Sequence, residues 1–493
     1  MLTIVAQTLF VVSAAFVLAT MLLFPLMTWL RACLLPVDGR RQGKRREPPP
    51  LDTSTFPRVS VIVACYNEAR YIGPRLENLL ACDYPRELLE IVVASDGSTD
   101  DTEAIAQSFA KHGVRVVRKE RGGKGQALNA GVAAATGDVL VFTDANTEFR
   151  RDALRAITEP LADPAIGGVA GNQRYVRGGE ASLSADGECL HWNWDTRQKI
   201  WQSRAGSVTA ATGALYAIRR SCFDPVPLHV MDDFHISTGV IARGLRLVFA
   251  ADAVAVEPVA TRDGVEFQRK VRVAVQGLRA VWTRRRLLNP LRYGWYSGQL
   301  FAHKIARRLL PAPLLAMAVS AAILAPHSQF HLAVCAAGGA VAVLAAIAAI
   351  ARLVPRWHWP RMKLFAIPHF FCMAQIALLL AWWRVLRGDG LRVWEPERHA
   401  AGANREPAMN REPGTNQEPA TNREPAMNRE PAMNREPGAN REPATNREAA
   451  MNREPAMNRE PGANREPATN REPATNREPA TNRDVETWGA CAR

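Results

Sequence analysis

The residues able to do chemistry in this chain are mostly acidic, and they stand where apolar runs stop. Run 59–64 (VSVIVA) ends in Cys65-Tyr66-Asn67-Glu68, and run 91–94 ends in Ser95-Asp96-Gly97-Ser98-Thr99-Asp100-Asp101. Run 139–143 ends in Asp144-Ala145-Asn146, and a further acidic pair is Asp232-Asp233. Lys124 lies in the glycine-bracketed stretch Arg121-Gly122-Gly123-Lys124-Gly125. Carboxylate and amide oxygens are hard donors that suit Mg²⁺ or Mn²⁺. Two adjacent carboxylates can push one pKa upward, and a lysine beside close-approaching backbone suits a diphosphate. Each feature also has a plainer reading. Asp100 and Asp101 fit a helix N-cap and first turn, Asp232-Asp233 fits a cap for the helix after Phe234, and Lys124 fits a surface turn.

These groups need elements to position them. From residue 57 to about 260, strand-like runs (59–64, 91–94, 114–117, 139–143) alternate with helical stretches, which predicts an α/β fold with a largely parallel sheet. Polar residues then gather at the carboxyl ends of successive strands, where open α/β sheets bind ligands. No GxGxxG follows the first strand, which disfavours a nicotinamide or flavin dinucleotide site, and no GxxxxGK[ST] occurs, which excludes a P-loop. What remains is a nucleotide fold that works with acidic and amide groups.

The rest of the 493 residues is of two other kinds. Residues 2–30 carry no charge and exceed the roughly 20 residues that cross a bilayer, with the basic cluster 40–46 following the run. A membrane anchor over 1–31 fits this better than a signal peptide. Three late apolar runs, 309–325, 331–350 and 364–383, predict two or three spans within 309–386, the first being re-entrant or spanning. The net charge of +14 is concentrated beside these runs, at 40–46, 284–308 and 352–363. That placement suits contact with membrane lipids and puts the middle domain on the cytoplasmic side; no nucleic-acid reader motif is present. Eight cysteines without a CxxC pair exclude a disulfide framework or structural zinc site. From 404 to 483 the hexapeptide NREPAM and its variants repeat, with a proline in almost every unit and almost no aliphatic bulk, which predicts a disordered tail.

Six segments, in order, resemble the family 2 glycosyltransferases, in particular the membrane-bound bacterial synthases of cellulose, hyaluronan and poly-N-acetylglucosamine. They are VSVIVACYNEARYI, EIVVASDGSTDDT, RGGKGQALNAG, GDVLVFTDANTEF, ATGALYAIRR and MDDFHISTGVIARGLRLVF. The resemblance covers residues 57 to about 398. It implies a GT-A-like nucleotide-sugar-binding domain at 57–260, an interfacial region at 261–308, and transmembrane helices at both ends. It further implies that Asp96 contacts the uracil ring of a UDP-sugar, with Tyr66 and Glu68 near the nucleoside and Lys124 near the diphosphate. Asp144 matches the metal site of the family's DXD motif, with Asn146 where a second Asp often stands, so Mg²⁺ or Mn²⁺ is the implied cofactor. Asp233, beside Asp232, takes the place of the general base, which implies an inverting displacement.

The segment around Gly213 resembles the acceptor-side lining. The processive QxxRW motif is altered: Gln268 and Arg272 are one residue too far apart with Val273 for Trp, while Gln276 and Arg279 keep the spacing with Ala280 for Trp. Arg272 and Gln276 are the acceptor-side candidates that result. Trp192, Trp194 and Trp201 read either as a helical core stripe or as sugar contacts. The resemblance implies transfer from a nucleotide-sugar donor to a glycan or lipid-linked acceptor, for cell-surface polysaccharide, at the inner (plasma) membrane. A polyprenyl-phosphate glycosyltransferase, a glycoside hydrolase with paired carboxylates and a silent membrane scaffold are the alternatives.

Overall fold

A computed structural model describes residues 1–37, 56–176, 183–258, 263–350 and 363–387. The hexapeptide repeat, with the disorder expected of it, and the basic cluster at 40–46 lie outside these residues. Eight strands form one sheet: β1 (Val59–Cys65), β2 (Leu89–Ser95), β3 (Val114–Arg118), β4 (Val139–Asp144), β5 (Glu148–Phe149), β6 (Ile166–Val176), β7 (Tyr216–Arg219) and β8 (Arg246–Pro258). Their order is β3-β2-β1-β4-β7-β6-β8-β5.

Strand β1 is buried at all seven positions, as a central strand covered on both faces must be. It pairs in parallel with β2 on one side and β4 on the other, so the chain reverses its direction of sheet growth at β1. Ligands of open α/β sheets sit at such a reversal, beyond the carboxyl ends of the strands. The register brings Cys65 opposite Ser95 and Ala64 opposite Asp144, so Tyr66, Asp96 and Asp144 emerge at one edge. The expected parallel arrangement holds for β3-β2-β1-β4. It stops at β7, which runs antiparallel to both β4 and β6.

Alternation along β1 divides two cores. Val59, Val61 and Val63 face Ile72, Leu76 and Leu79 of helix Ala69–Leu80. Ile62 and Ala64 face the other way, toward Leu128 and Val132 of helix Lys124–Ala134 and toward Phe234 and Ile236 of helix Asp232–Ala242. Each such side chain contributes about 1.5–3 kcal/mol on burial. The two helices that begin with Lys124 and with Asp232 are thereby fixed against the same face, with their first turns at the sheet's carboxyl edge.

Among the described residues outside the sheet, three helices are long and apolar enough to cross a membrane: Leu2–Leu34, Gln329–Ile350 and Ile367–Arg387. The run at 309–325 is one half of a pair, Trp295–Leu309 and Pro311–His327, bent by 53°, a broken span or a re-entrant loop. Ala6 and Phe10 of the first helix pack on Ala321 and Leu324 of that pair, so early and late apolar segments share a cluster. Helix Asp263–Thr283 places Val271, Ala274 and Val275 against Ala377 and Ala381 of the last helix. One stripe of the helix expected at the membrane surface is therefore spent on protein.

Candidate active site

Asp96 organises the site from beneath. Its side chain is fully buried, and its carboxylate accepts hydrogen bonds from the Gly122 and Gly123 amides at 2.8–2.9 Å and from the Arg121 guanidinium. Gly97 and Gly123 have φ of +72° and +92°, conformations in which a side chain is strained. A Cβ at Gly97 would also come within 3.0 Å of the Arg121 amide. The carboxylate thus pulls the glycine loop onto β2 and delivers Lys124 to the start of its helix. Arg121 then lies flat over Tyr66, with its guanidinium carbon 3.3 Å from the ring centroid. Asp96, expected to contact a uracil ring, thus bonds here to the loop, and Arg121 covers the ring of Tyr66, which was expected near the nucleoside.

Lys124 is the centre of the site. Its ammonium lies 2.6 Å from Asp144 Oδ1 and 3.3 Å from Asp232 Oδ2. Burial would lower its pKa, but Asp144 and Asp232 outweigh burial and hold the ammonium well above the usual lysine range. Asp144 Oδ1 and Asp232 Oδ2 are buried with the Lys124 ammonium as their partner, while Thr212 Oγ1 and the Tyr216 hydroxyl are buried without a hydrogen bond. Buried polar atoms normally have partners, and two orphans in one site mark a place shaped for something else. Gly213 opens onto it: a Cβ there would stand 3.5 Å from both Asp144 Oδ2 and Lys124 Nζ.

Asp233 is buried at the first turn of helix Asp232–Ala242 and accepts from the Phe234 amide at 2.6 Å. Burial and the neighbouring Asp232 push its carboxyl up to about 6, against the pull of Lys124 and Lys304. Glu68 is pushed up to about 7 by burial, then by Asp144 and Asp100. Asp100 itself accepts from the Thr102 and Ala69 amides, the capping role its position suggested. Tyr216 went unremarked in the sequence. Its ring stacks on Phe142 at 4.9 Å, and burial, then Asp232, Asp233 and Asp144, push its hydroxyl well above the usual tyrosine range. A tyrosine in an apolar strand directly after Thr212-Gly213-Ala214 is the signal that could have found it.

Other candidates stand apart. Asn146 is exposed. Arg272 and Gln276 are half-buried on helix Asp263–Thr283, and neither pairs with Lys124, Asp144, Asp232 or Asp233. Trp194 and Trp201 meet edge to face at 5.7 Å, with Trp194 40% exposed, so they are not a closed core stripe. Arg284, read from sequence as part of a basic flank, turns inward to Asp224 at 2.9 Å.

The donor set fits a hard cation, since Asp144 and Asp232 offer only carboxylate oxygen, shared here with the Lys124 ammonium. Among the described residues, no group of three or more His, Cys, Asp or Glu side chains could hold a metal. A cation here would need oxygens from its ligand, as Mg²⁺ commonly takes from phosphates.

The sheet and its acid-lined carboxyl edge are those of a GT-A-like α/β domain. Residues 60–226 match the family model for glycosyl transferase family 2, and the chain carries a domain of that family. The poly-beta-1,6-N-acetyl-D-glucosamine synthase of Staphylococcus aureus (strain COL) is 27% identical over 236 residues, 46% of this chain and 57% of that protein. The synthase of the same name from Staphylococcus epidermidis (strain RP62A) is 30% identical over 171 residues, 34% of this chain and 41% of that protein. The matches thus span less than two thirds of these curated relatives. Among solved structures, the mannosyltransferase PcManGT from Pyrobaculum calidifontis, in complex with GDP-Man and Mn²⁺, superposes with a TM-score of 0.59 at 26% identity. That similarity covers 78% of this chain and all of the solved one.

Proposed function

We propose that the chain is an inverting glycosyltransferase that moves a sugar from a nucleotide-sugar, with UDP as the nucleotide, to a glycan acceptor in cell-surface polysaccharide synthesis. It works at the plasma membrane with its catalytic domain in the cytoplasm, held by the N-terminal anchor and the late apolar helices. The observation that carries the reading is the Lys124 ammonium held between Asp144 and Asp232 at the carboxyl edge of the sheet.

In this reading the nucleoside enters over Tyr66 and Glu68, displacing Arg121 from the ring, and Lys124 meets the diphosphate. Asp144, with the Asn146 amide or water and the diphosphate's own oxygens, would hold Mg²⁺ or Mn²⁺, whose Lewis acidity stabilises the leaving charge. Asp233 takes the proton from the acceptor hydroxyl, whose oxygen attacks the anomeric carbon from the side opposite the nucleotide. The bond to the diphosphate breaks with its electron pair, and one displacement inverts the centre. A carboxyl at about 6 is ionised at neutral pH yet basic enough to share that proton. Asp232 pairs with Lys124, and Gly213 leaves room for the sugar.

A panel of UDP-sugars and GDP-mannose, each with Mg²⁺ or Mn²⁺, tests this by nucleotide release from the full chain in detergent. Metal-dependent turnover of one donor, lost in Asp144→Ala and Asp233→Asn, is the expected outcome. A well-folded protein that releases nucleotide from none of them, with acceptor supplied, would sink the proposal. A lipid-carrier acceptor is the second reading, favoured by Val273 and Ala280 standing where a sugar-stacking tryptophan is expected.

A further inference from the structure

Four cations converge beside Asp233 from two elements distant in sequence. Lys199 lies on helix Leu183–Ala205, and Lys304, Arg307 and Arg308 lie on the consecutive turns Phe301–Ala306 and Arg307–Leu309. Lys199 is paired with Asp195 at 3.0 Å. Among the described residues, none of the other three has a carboxylate within ion-pair distance. Their heads turn inward instead: Arg307 donates to Gln198 Oε1 at 2.9 Å, Arg308 donates to the Lys304 carbonyl, and the Lys304 ammonium lies 5.7 Å from the Phe234 ring centroid. Helix Asp263–Thr283 accommodates the cluster with Gly277, where any Cβ would collide with the Arg308 guanidinium. Gln198 supplies an independent sign. It is 1% exposed, and its Nε2 is a buried donor with no acceptor.

Surface lysines and arginines beside a membrane extend their heads into water. These do not. Asp195 acts on Lys304 and Arg307, and Asp233 on Lys304, only from beyond ion-pair distance, so the charge of these withdrawn cations is incompletely balanced, a costly state that a paired anion would relieve. Three such cations and an unmet amide donor define an oxyanion-shaped deficit, and guanidinium forks suit phosphate in particular. Lys304 is also near enough to Asp233 to oppose the rise in that carboxyl's pKa, so the deficit adjoins the base rather than the donor's diphosphate.

We infer that this cluster seats the phosphate of a lipid-linked acceptor, with its tail along the apolar helices and its hydroxyl-bearing end presented to Asp233. Assignment to the acceptor rests on the transferase reading above; the phosphate seat itself does not. The full chain in detergent, without donor, is titrated with a long-chain polyprenyl monophosphate and with the matching polyprenol, and binding is followed by native mass spectrometry. The monophosphate is expected to bind at least about tenfold tighter. Arg308→Gln should erase that preference, while Arg308→Lys, which restores charge without the fork, should keep most of it. A UDP-induced thermal shift shows that each variant is folded.

Equal binding of monophosphate and polyprenol, or an undiminished preference in Arg308→Gln, would overturn the inference. Displacement of the monophosphate by phosphatidylglycerol at equal mole fraction would overturn it too, in favour of a bulk lipid headgroup site. Displacement by inorganic phosphate, with phosphatidylglycerol inert, supports it. If the transferase reading alone is wrong, the binding preference stands while metal-dependent nucleotide release is absent. If the seat alone is wrong, nucleotide release stands and the preference is absent.

Discussion

The carboxyl edge of the sheet and the turns at 301–309 are opposite in both charge and construction. The first is acidic and built from strand ends and loops between residues 66 and 146, joined by Asp232 and Asp233. The second is cationic and assembled from helices whose contacting residues, such as Gln198 and Arg307, are 109 positions apart. At the first, Lys124 pairs with Asp144 and Asp232; at the second, among the described residues, Lys304, Arg307 and Arg308 have no carboxylate within ion-pair distance and the Gln198 amide has no acceptor. A transfer reaction would need both, one for the donor's cation and diphosphate, the other for what receives the sugar. Asp233 stands where they meet.

The sharpest way to break this division is at that meeting point. Asp233→Asn keeps the shape and the bond from the Phe234 amide but removes the base. Turnover should fall by about 10²–10⁴, with donor affinity little changed. A fall in donor affinity with unchanged turnover would place Asp233 on the donor side and dissolve the comparison. Next comes Asp96→Ala, which leaves the Arg121 guanidinium and two loop amides without their acceptor. Breaking such a buried pair costs about 3 kcal/mol, at the low end because Arg121 is partly exposed. Chemical denaturation measures it, and a much smaller loss would return Asp96 to the role of a ligand contact.

The pH profile is a gentler probe. With its carboxyl held at about 6, Asp233 is protonated and inactive as a base below that value. Turnover should therefore rise about tenfold per unit as pH increases toward 6, and level off above it. A limb near pH 4 would mean that the carboxyl is not held up by burial when substrate is bound.

The donor edge was largely legible before the fold was known, for a physical reason. The short valine-rich and isoleucine-rich runs at 59–64, 91–94, 114–117 and 139–143 end in polar residues, and each became one of β1–β4. Chain order along a parallel sheet then carries the polar residues to one edge. The two-residue β5 and the antiparallel β7 had no such signature, because their pairing is decided by partners far away in sequence. That Asp96 also anchors the glycine loop was not legible, because sequence does not say which oxygens a loop's own amides will meet. The cationic turns were read only as a topology signal. That Arg307 and Arg308 turn inward depends on Gln198 and Gly277, which no local pattern links to them.

Gly213→Ala should have the smallest effect and locates the boundary between the two regions. The new methyl would stand 3.5 Å from Asp144 Oδ2 and Lys124 Nζ, ordinary contact distance, and the backbone there does not require glycine. Folding should be unchanged or stabilised by about 0.4–1 kcal/mol. The methyl nevertheless projects toward the Lys124–Asp144 pair, into the space that, in the reading above, the donor's diphosphate and sugar enter. We expect the donor KM to rise a few-fold with kcat within about twofold, as when binding is lost equally from ground and transition states. If KM for the acceptor rises instead, Gly213 lines the path from Asp233 toward the cationic turns, and the boundary moves to the donor side of Lys124. If neither changes, the Lys124–Asp144 pair is not where substrate binds.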